Sequence, residues 1–296
     1  MSRNPNVEYT ACNLCNSNET TKLADYIYKG EKLSIVECRK CGLIYTDPRL
    51  TKAREIELFQ DSYYDPSDEE AWNANRAYNY RNLIDKLEKF RSRGKLLDVG
   101  CGFGHFLKLA QQRDWQCFGV EPSNVASRYA REKMGLEVKQ GELKDANFPP
   151  DHFDAIVLWD VLYYYSNPVL ELKEINRILK RNGILGIRTV MYKGPLIKFF
   201  AKLGKTHLIK RNCPFWNQDW LYHFSVKNLR ALLEISGFKI VHISNAIQNK
   251  RPDLNPGLRI ARKAYSLFSD LIFYMSFGKC VLGPAIIVIA KKKTDI

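Results

Sequence analysis

The chain lacks a long uninterrupted hydrophobic run. Its most apolar stretch, Leu267 to Ala290, is broken by Gly278, Lys279, Gly283 and Pro284. A membrane-spanning helix needs about 20 mostly apolar residues, so this stretch does not read as one. No charged start, apolar segment and small-residue cleavage site follow one another at the N-terminus, and the expectation is a cytoplasmic chain. Acidic residues are in short supply: 32 Asp and Glu stand against 46 Lys and Arg, a formal net charge of +14. Such a surface attracts nucleic acid, anionic lipid or phosphorylated small molecules without choosing among them. Histidine is scarce as well, with five in 296 residues. Apolar residues are not scarce. At 45% of the chain they suffice for one sizeable domain plus a small one.

The segment Lys95-Leu-Leu-Asp-Val-Gly-Cys-Gly-Phe-Gly104 reads as a buried strand running into a glycine-rich turn, with a helix starting near His105. Glu121 follows 17 residues after the last glycine, at the end of a second apolar run, Cys117 to Val120. A turn with so little side chain lets backbone N–H groups approach a ligand. A carboxylate at the tip of the next strand can hold a ribose by its two hydroxyls. Together they predict a nucleoside-containing cofactor. Dinucleotide sites usually read G-x-G-x-x-G, with a pyrophosphate on the helix N-terminus. Here the glycines fall at 100, 102 and 104, and Asp98 precedes them. An acidic residue entering the loop suits a ligand with a cationic amino-acid end and no phosphate.

Asp-x-Gly-x-Gly-x-Gly resembles the pattern of class I S-adenosylmethionine-dependent methyltransferases, and the next segments keep that resemblance in order. A helical run from Val125 to Lys133 precedes a third strand, Gly135 to Val138. Phe153 to Asp160 is a fourth strand ending in an acid. Leu170 to Leu179 is an amphipathic helix with Asn182-Gly183 as its C-cap, and Ile184 to Thr189 is a fifth strand. The likeness resumes at Trp220 to Ser225 and continues through a helix, Val226 to Ser236, with Ser225 as N-cap. The closing strands are Lys239 to Ser244 and Ala285 to Ala290, an antiparallel pair in such proteins. The resemblance implies an α/β fold: a Rossmann-like seven-stranded methyltransferase sheet with an antiparallel last strand. It implies S-adenosylmethionine held by Asp98, Gly100, Cys101, Gly102, Gly104, Glu121 and Pro122. Glu142 and Leu143 stand beside the adenine, and Asp160 ends the fourth strand. The chain departs from the family after Asp160. Leu162-Tyr-Tyr-Tyr165 replaces the usual Leu-Glu-His, so any role of that Glu-His pair is lost or replaced.

Cys12, Cys15, Cys38 and Cys41 form two C-x2-C pairs separated by 22 residues, with Gly42 after the second. Four thiolates from two such turns complete a tetrahedral Zn2+ site at about 2.3 Å per bond. Four thiolates leave no open position, so the expected role is structural. Tyr26 to Tyr28 and Leu33 to Val36 supply a hairpin between the pairs. Residues 1–48 thus read as a small zinc ribbon, 49–93 as a helical connector and 94–296 as the methyltransferase domain. Cap segments are expected at 192–222 and 246–283. In the connector, Tyr80, Leu83, Ile84, Leu87 and Phe90 share one face. Tyr78 and Arg81 are candidates to reach the cofactor's methionine end. Leu258, Ala261, Tyr265, Phe268, Ile272 and Met275 mark the apolar face of a later helix, which reads either as packed on the domain or as a substrate lid or interfacial helix serving a lipid-linked acceptor.

A ribbon joined to such a domain resembles enzymes that act on sugar nucleotides and glycans. The expected reaction is methyl transfer to a sugar or glycan acceptor, phosphorylated or lipid-linked. His223, within Trp220 to Ser225, is the candidate general base, and Tyr222 the candidate to orient the acceptor. The other histidines read as structural or surface residues. The basic amphipathic stretch Pro195 to Leu203 suits peripheral contact with an anionic membrane surface. The alternatives are an RNA methyltransferase and a non-catalytic binder of the same cofactor. Nucleic acid is the lesser expectation, because Asp160-Val-Leu-Tyr163 lacks the Asn/Asp-Pro-Pro-Tyr motif of amino-directed nucleic-acid enzymes.

Overall fold

The computed structural model describes residues 4–59, 69–191, 219–246, 264–276 apart from 266, 270 and 274, and 285–293. Residues 192–218 of the cap segment expected at 192–222, with the stretch Pro195 to Leu203, lie outside these residues, as do 247–263 and 277–283 of the one expected at 246–283, with Leu258, Ala261, His207, Cys213 and Cys280.

The N-terminal part begins with β1 (Val7–Glu8), β2 (Thr20–Tyr28) and β3 (Glu31–Cys38). Lys29 and Gly30 join β2 to β3, both with positive φ (51° and 87°). That is the two-residue turn whose twist matches a hairpin. β4 (Ile44–Thr46) and β5 (Arg49–Leu50) follow, and β1 pairs with β5. Helices α1 (Lys52–Phe59) and α2 (Glu69–Phe90) lead to the large sheet. On α2, Leu83, Ile84 and Leu87 are fully buried. Truncating one of them to Ala costs about 2–5 kcal/mol.

The large sheet is built from β6 (Lys95–Val99), β7 (Gln116–Glu121), β8 (Glu137–Gln140), β9 (Phe153–Trp159), β10 (Leu179–Val190), β12 (Phe238–Ala246) and β13 (Ala285–Lys292). Its order is β12-β13-β10-β9-β6-β7-β8, and only β13 runs antiparallel to its neighbours. Every residue of β9 is buried. Such continuous burial is what helices on both faces of a parallel sheet require. One face packs α2, α3 (His105–Gln111) and α4 (Asn124–Glu132). The other packs α5 (Pro168–Ile178), α6 (Val226–Ile235) and the N-terminal strands. The expected Rossmann-like, seven-stranded sheet with its antiparallel last strand is the observed fold, beside an N-terminal four-cysteine cluster that can hold a metal.

Three local expectations are corrected. Helix α5 stops at Ile178 without using Asn182-Gly183: Leu179 turns extended and pairs with Phe153, leaving those two residues inside β10 at a register shift. Burial of Leu179 at the head of the strand outweighs the capping pair downstream. The small N-terminal sheet, in order β11-β4-β3-β2, takes its edge strand β11 (Tyr222–His223) from far along the chain. The late apolar face is not packed away: Tyr265, Phe268 and Met275 are 52%, 54% and 68% exposed, while Ser269 and Phe273 are buried.

Candidate active site

The parallel strands end together at one edge of the sheet, and a cavity of about 1050 Å3 opens there. Its floor is the β6–α3 turn. Gly100 (φ 75°) and Gly104 (φ 85°) are left-handed, and an added Cβ would come within 2.5 Å of Val161 and 2.4 Å of Leu136, respectively. Glycine is therefore demanded by backbone angle at both positions, and at Gly100 by space as well, since the stiff Val161 side chain stands in the way. Glu121, at the tip of β7, accepts hydrogen bonds from the N–H of Gly102 (2.8 Å) and of Ser123 (2.9 Å). These fix the carboxylate beside the turn. Burial pushes its pKa up to about 6 against the pull of the two bonds.

Asp98 lies buried in the cavity wall. It is 1% exposed, and its Oδ1 has no hydrogen-bond partner. Burial first, and the charge of Glu121 second, push its pKa up to about 8. A buried carboxyl without a partner is costly unless something else completes it. A cation placed there would do so.

Cys101, Gly102, Pro122, Glu142, Leu143 and Asp160 also line the cavity with Asp98, Gly100 and Glu121; Gly104 shapes the turn from behind. The buried Cys101 thiol is held well above its ordinary pKa, by burial and then by Glu121 and Asp98, so it serves as a small neutral residue. Glu142 is paired with Lys52 of α1 at 2.7 Å and with Lys144 at 3.0 Å. Asp160 (φ 57°) accepts from Arg188, and its Oδ1 is buried without a partner.

Tyr222 and His223 are not among the described residues that line the cavity. His223 is 3% exposed within the β11–β4 pair, and burial pushes its pKa down to about 4. Tyr222 is buried against Tyr45 and Phe224. Tyr78 is 43% exposed and Arg81 is also exposed. Among the described residues, those of α2 that line the cavity are Arg76 and Tyr80, four apart on one helix face. Tyr80 meets Trp159 edge-on at 4.6 Å, and Arg188 lies 5.2 Å over the same indole. His105 lines the cavity too, at 8% exposure. The burial pattern on α2 held the signal for Arg76 and Tyr80, since Tyr80 shares the apolar face with Leu83 and Leu87.

The four cysteine sulfurs lie within 4.8 Å of one another, with Cys12–Cys41 and Cys15–Cys38 each at 3.5 Å. Disulfides need about 2.05 Å, whereas a tetrahedron with about 2.3 Å metal–sulfur bonds has edges near ~3.8 Å. The donor set fits a metal and not two bridges.

Residues 72–243 match the family model described as "Methyltransferase domain". An uncharacterized protein of Methanocaldococcus jannaschii is 28% identical over 189 residues, covering 63% of this chain and 84% of its own. The ubiquinone biosynthesis O-methyltransferase of Pelagibacter ubique is 27% identical over 222 residues, covering 65% of this chain and 90% of its own. Among solved structures, a possible histamine N-methyltransferase of Thermotoga maritima superposes with a TM-score of 0.52 at 19% identity. That match covers 77% of this chain and 96% of the other.

Proposed function

The chain belongs to the methyltransferase-domain family, and from that premise we propose that its cavity binds S-adenosylmethionine and passes a methyl group to a sugar or glycan acceptor. The observation that carries the cofactor half is Asp98: a buried carboxyl lacking a partner, over a glycine turn, next to a carboxylate already aimed by two backbone N–H groups. Asp98 would take the cofactor's ammonium group, Glu121 its ribose hydroxyls, and Leu143, Glu142 and Pro122 the adenine side. When bound, the cofactor supplies a methyl carbon already activated by positive sulfur. What remains for the chain is alignment, exclusion of water and removal of a proton from the acceptor. Tyr80, Trp159 and Asp160 form the wall beyond the glycine turn. Among the described residues His105 is the histidine that lines the cavity, so it replaces His223 as the candidate base.

The lining sharpens the acceptor. The chain as a whole carries +14, yet Glu8, Glu55, Glu142, Glu171, Glu174 and Asp219 face Lys52, Arg76 and Lys144 around the described cavity, before Asp98, Glu121 and Asp160 are added. Burial raises the pKa of Glu55, and burial and then Glu142 raise that of Glu171. Such a lining disfavours a phosphate near the reacting atom and favours a neutral, hydroxyl-bearing group. It also weighs against RNA. A lipid-linked acceptor gains support from the exposed Tyr265, Leu267, Phe268, Leu271 and Met275. Asn245, near the end of β12 at the cavity edge of the sheet, bonds Ser269 in that segment. The ubiquinone-named relative is in keeping with a lipophilic acceptor. Among the described residues no helix is long and apolar enough to cross a membrane, and peripheral contact through this apolar patch is the form we propose. The cysteine cluster would hold Zn2+ in a structural role.

Incubation with methyl-labelled S-adenosylmethionine and a panel of neutral sugars, nucleotide sugars, lipid-linked glycans, quinols and RNA tests this reading. Label is expected in a neutral or lipid-linked glycan. Label in RNA or a quinol alone would replace the acceptor, and failure to bind the cofactor would remove the enzyme reading.

A further inference from the structure

One backbone atom of the cavity loop is held from outside the methyltransferase sheet. The carbonyl oxygen of Ser166 accepts from Arg49 Nη1 at 2.6 Å, from the Tyr222 hydroxyl at 3.2 Å and from Asn13 Nδ2 at 3.5 Å. Asn13 stands between Cys12 and Cys15, and its amide also donates to the Tyr222 hydroxyl. Arg49 belongs to β5 and is anchored by Glu8 of β1 at 2.8 Å. A carbonyl has two lone pairs, so three donors converging on one oxygen saturate it. The loop's other end is tied to the same unit: Leu221 N–H donates to the Tyr163 carbonyl (2.9 Å), and the Leu221 carbonyl accepts from Thr46 N–H (2.9 Å). Between these ties lie Tyr164 and Tyr165, both facing the cavity. The Tyr165 hydroxyl is buried without a hydrogen-bond partner, and the carboxylates whose charge acts on it include Glu171, Asp98 and Glu121. This is where the chain departs from its family's Leu-Glu-His.

We propose that the cysteine knuckle is a positioning device for the methyltransferase site: through Asn13, Arg49 and Tyr222 it fixes the Ser166 carbonyl and thereby holds Tyr165 against the cofactor half of the cavity. The N-terminal unit then acts on ligand affinity as well as on stability, and Tyr222 acts through the loop. The inference rests on the cofactor reading above, which the wild-type protein tests separately.

S-adenosylhomocysteine is titrated by calorimetry into zinc-loaded wild type, Arg49→Ala, Arg49→Lys and Tyr222→Phe, with zinc content and melting temperature measured on each. Arg49→Ala is expected to weaken binding about tenfold, the size of a lost charge-assisted hydrogen bond. Tyr222→Phe is expected to weaken it about threefold by the same argument for a neutral bond. Arg49→Lys should recover most of the loss, and zinc content should stay at the wild-type level. Stripping zinc should then weaken the wild type and add little to Arg49→Ala, whose connection is already cut. Wild-type affinity in both Arg49→Ala and Tyr222→Phe would overturn the proposal, as would equal losses on stripping zinc from wild type and Arg49→Ala. If stripping unfolds the N-terminal sheet, the zinc-loaded variants decide alone. A wild type that fails to bind would remove the cofactor reading and this inference with it.

Discussion

The two walls of the cavity are built in opposite ways. The wall under the proposed cofactor comes from one stretch of chain, Asp98 to Leu143, in which each strand delivers its tip to the same edge. The facing wall is assembled from α1, α2, the loop after β9 and the residues before β11, and its ties join positions 117, 153 and 174 residues apart. The first wall is fixed by sheet geometry and backbone angles. The second depends on a separate small sheet staying folded. Damage to the first should therefore cost affinity without lowering stability, and damage to the second should cost both.

The largest effect is expected on the second wall. Cys38→Ser should release the metal and with it much of the binding free energy, about 10 kcal/mol for a structural zinc site, that helps hold the N-terminal unit folded. Hydrogen exchange should show β2 to β4 losing protection while β6 and β9 keep theirs. Loss of protection in both sheets would mean that the two walls are one cooperative unit. Asp98→Ala comes next, with about a hundredfold loss of cofactor affinity (~2.7 kcal/mol) and, since a buried unpartnered carboxyl is costly, a melting temperature near neutral pH at or above that of the wild type. Undiminished affinity would refute the assignment of the first wall.

Titration separates the walls further. Asp98 keeps its proton up to about pH 8 in the ligand-free protein, while the unfolded chain releases it in the ordinary carboxylate range. The native state thus binds more protons between the two, and this contribution to stability is lost as pH rises toward about 8. Asp98→Asn should flatten that slope. A bound ammonium group would favour the ionised form, so binding at pH 7 should release a proton, and affinity should rise by up to about tenfold per pH unit until about pH 8. Buffers of different ionisation enthalpy would report that proton.

The smallest effect belongs to His223, on the strand that joins the walls. Its pKa is depressed to about 4 by burial. The stability it contributes is present above its unfolded pKa and is lost as pH falls from about 6.5 through about 4, by at most about 1.4 kcal/mol per pH unit. His223→Phe should remove this acid sensitivity and spare the methyl-transfer rate. A variant that keeps its stability profile and loses turnover would restore His223 as the base.

What could be read from sequence follows the same division. Asp98, the three glycines and Glu121 were readable because strand, turn and strand tip obey fixed spacing. The cysteine pairs were readable because metal ligands come as close neighbours in the chain. Arg76, Tyr80 and His105 were missed because a helix face says which residues are buried and not which of them border a cavity. The Ser166 clamp was out of reach: a backbone carbonyl has no letter of its own, and its donors are scattered from Asn13 to Tyr222. His223 is the harder case for a related reason. Its residue type suited proton transfer, and only the pairing of β11 with β4 shows it sealed away from the cavity.

The most direct measurement is a crystal structure of the zinc-loaded protein with S-adenosylhomocysteine. The ligand's amino group should lie against Asp98, its ribose hydroxyls on Glu121 and its adenine near Leu143, with the Ser166 carbonyl still held by Arg49. A ligand bound elsewhere, or a cavity closed by the chain's own side chains, would contradict it.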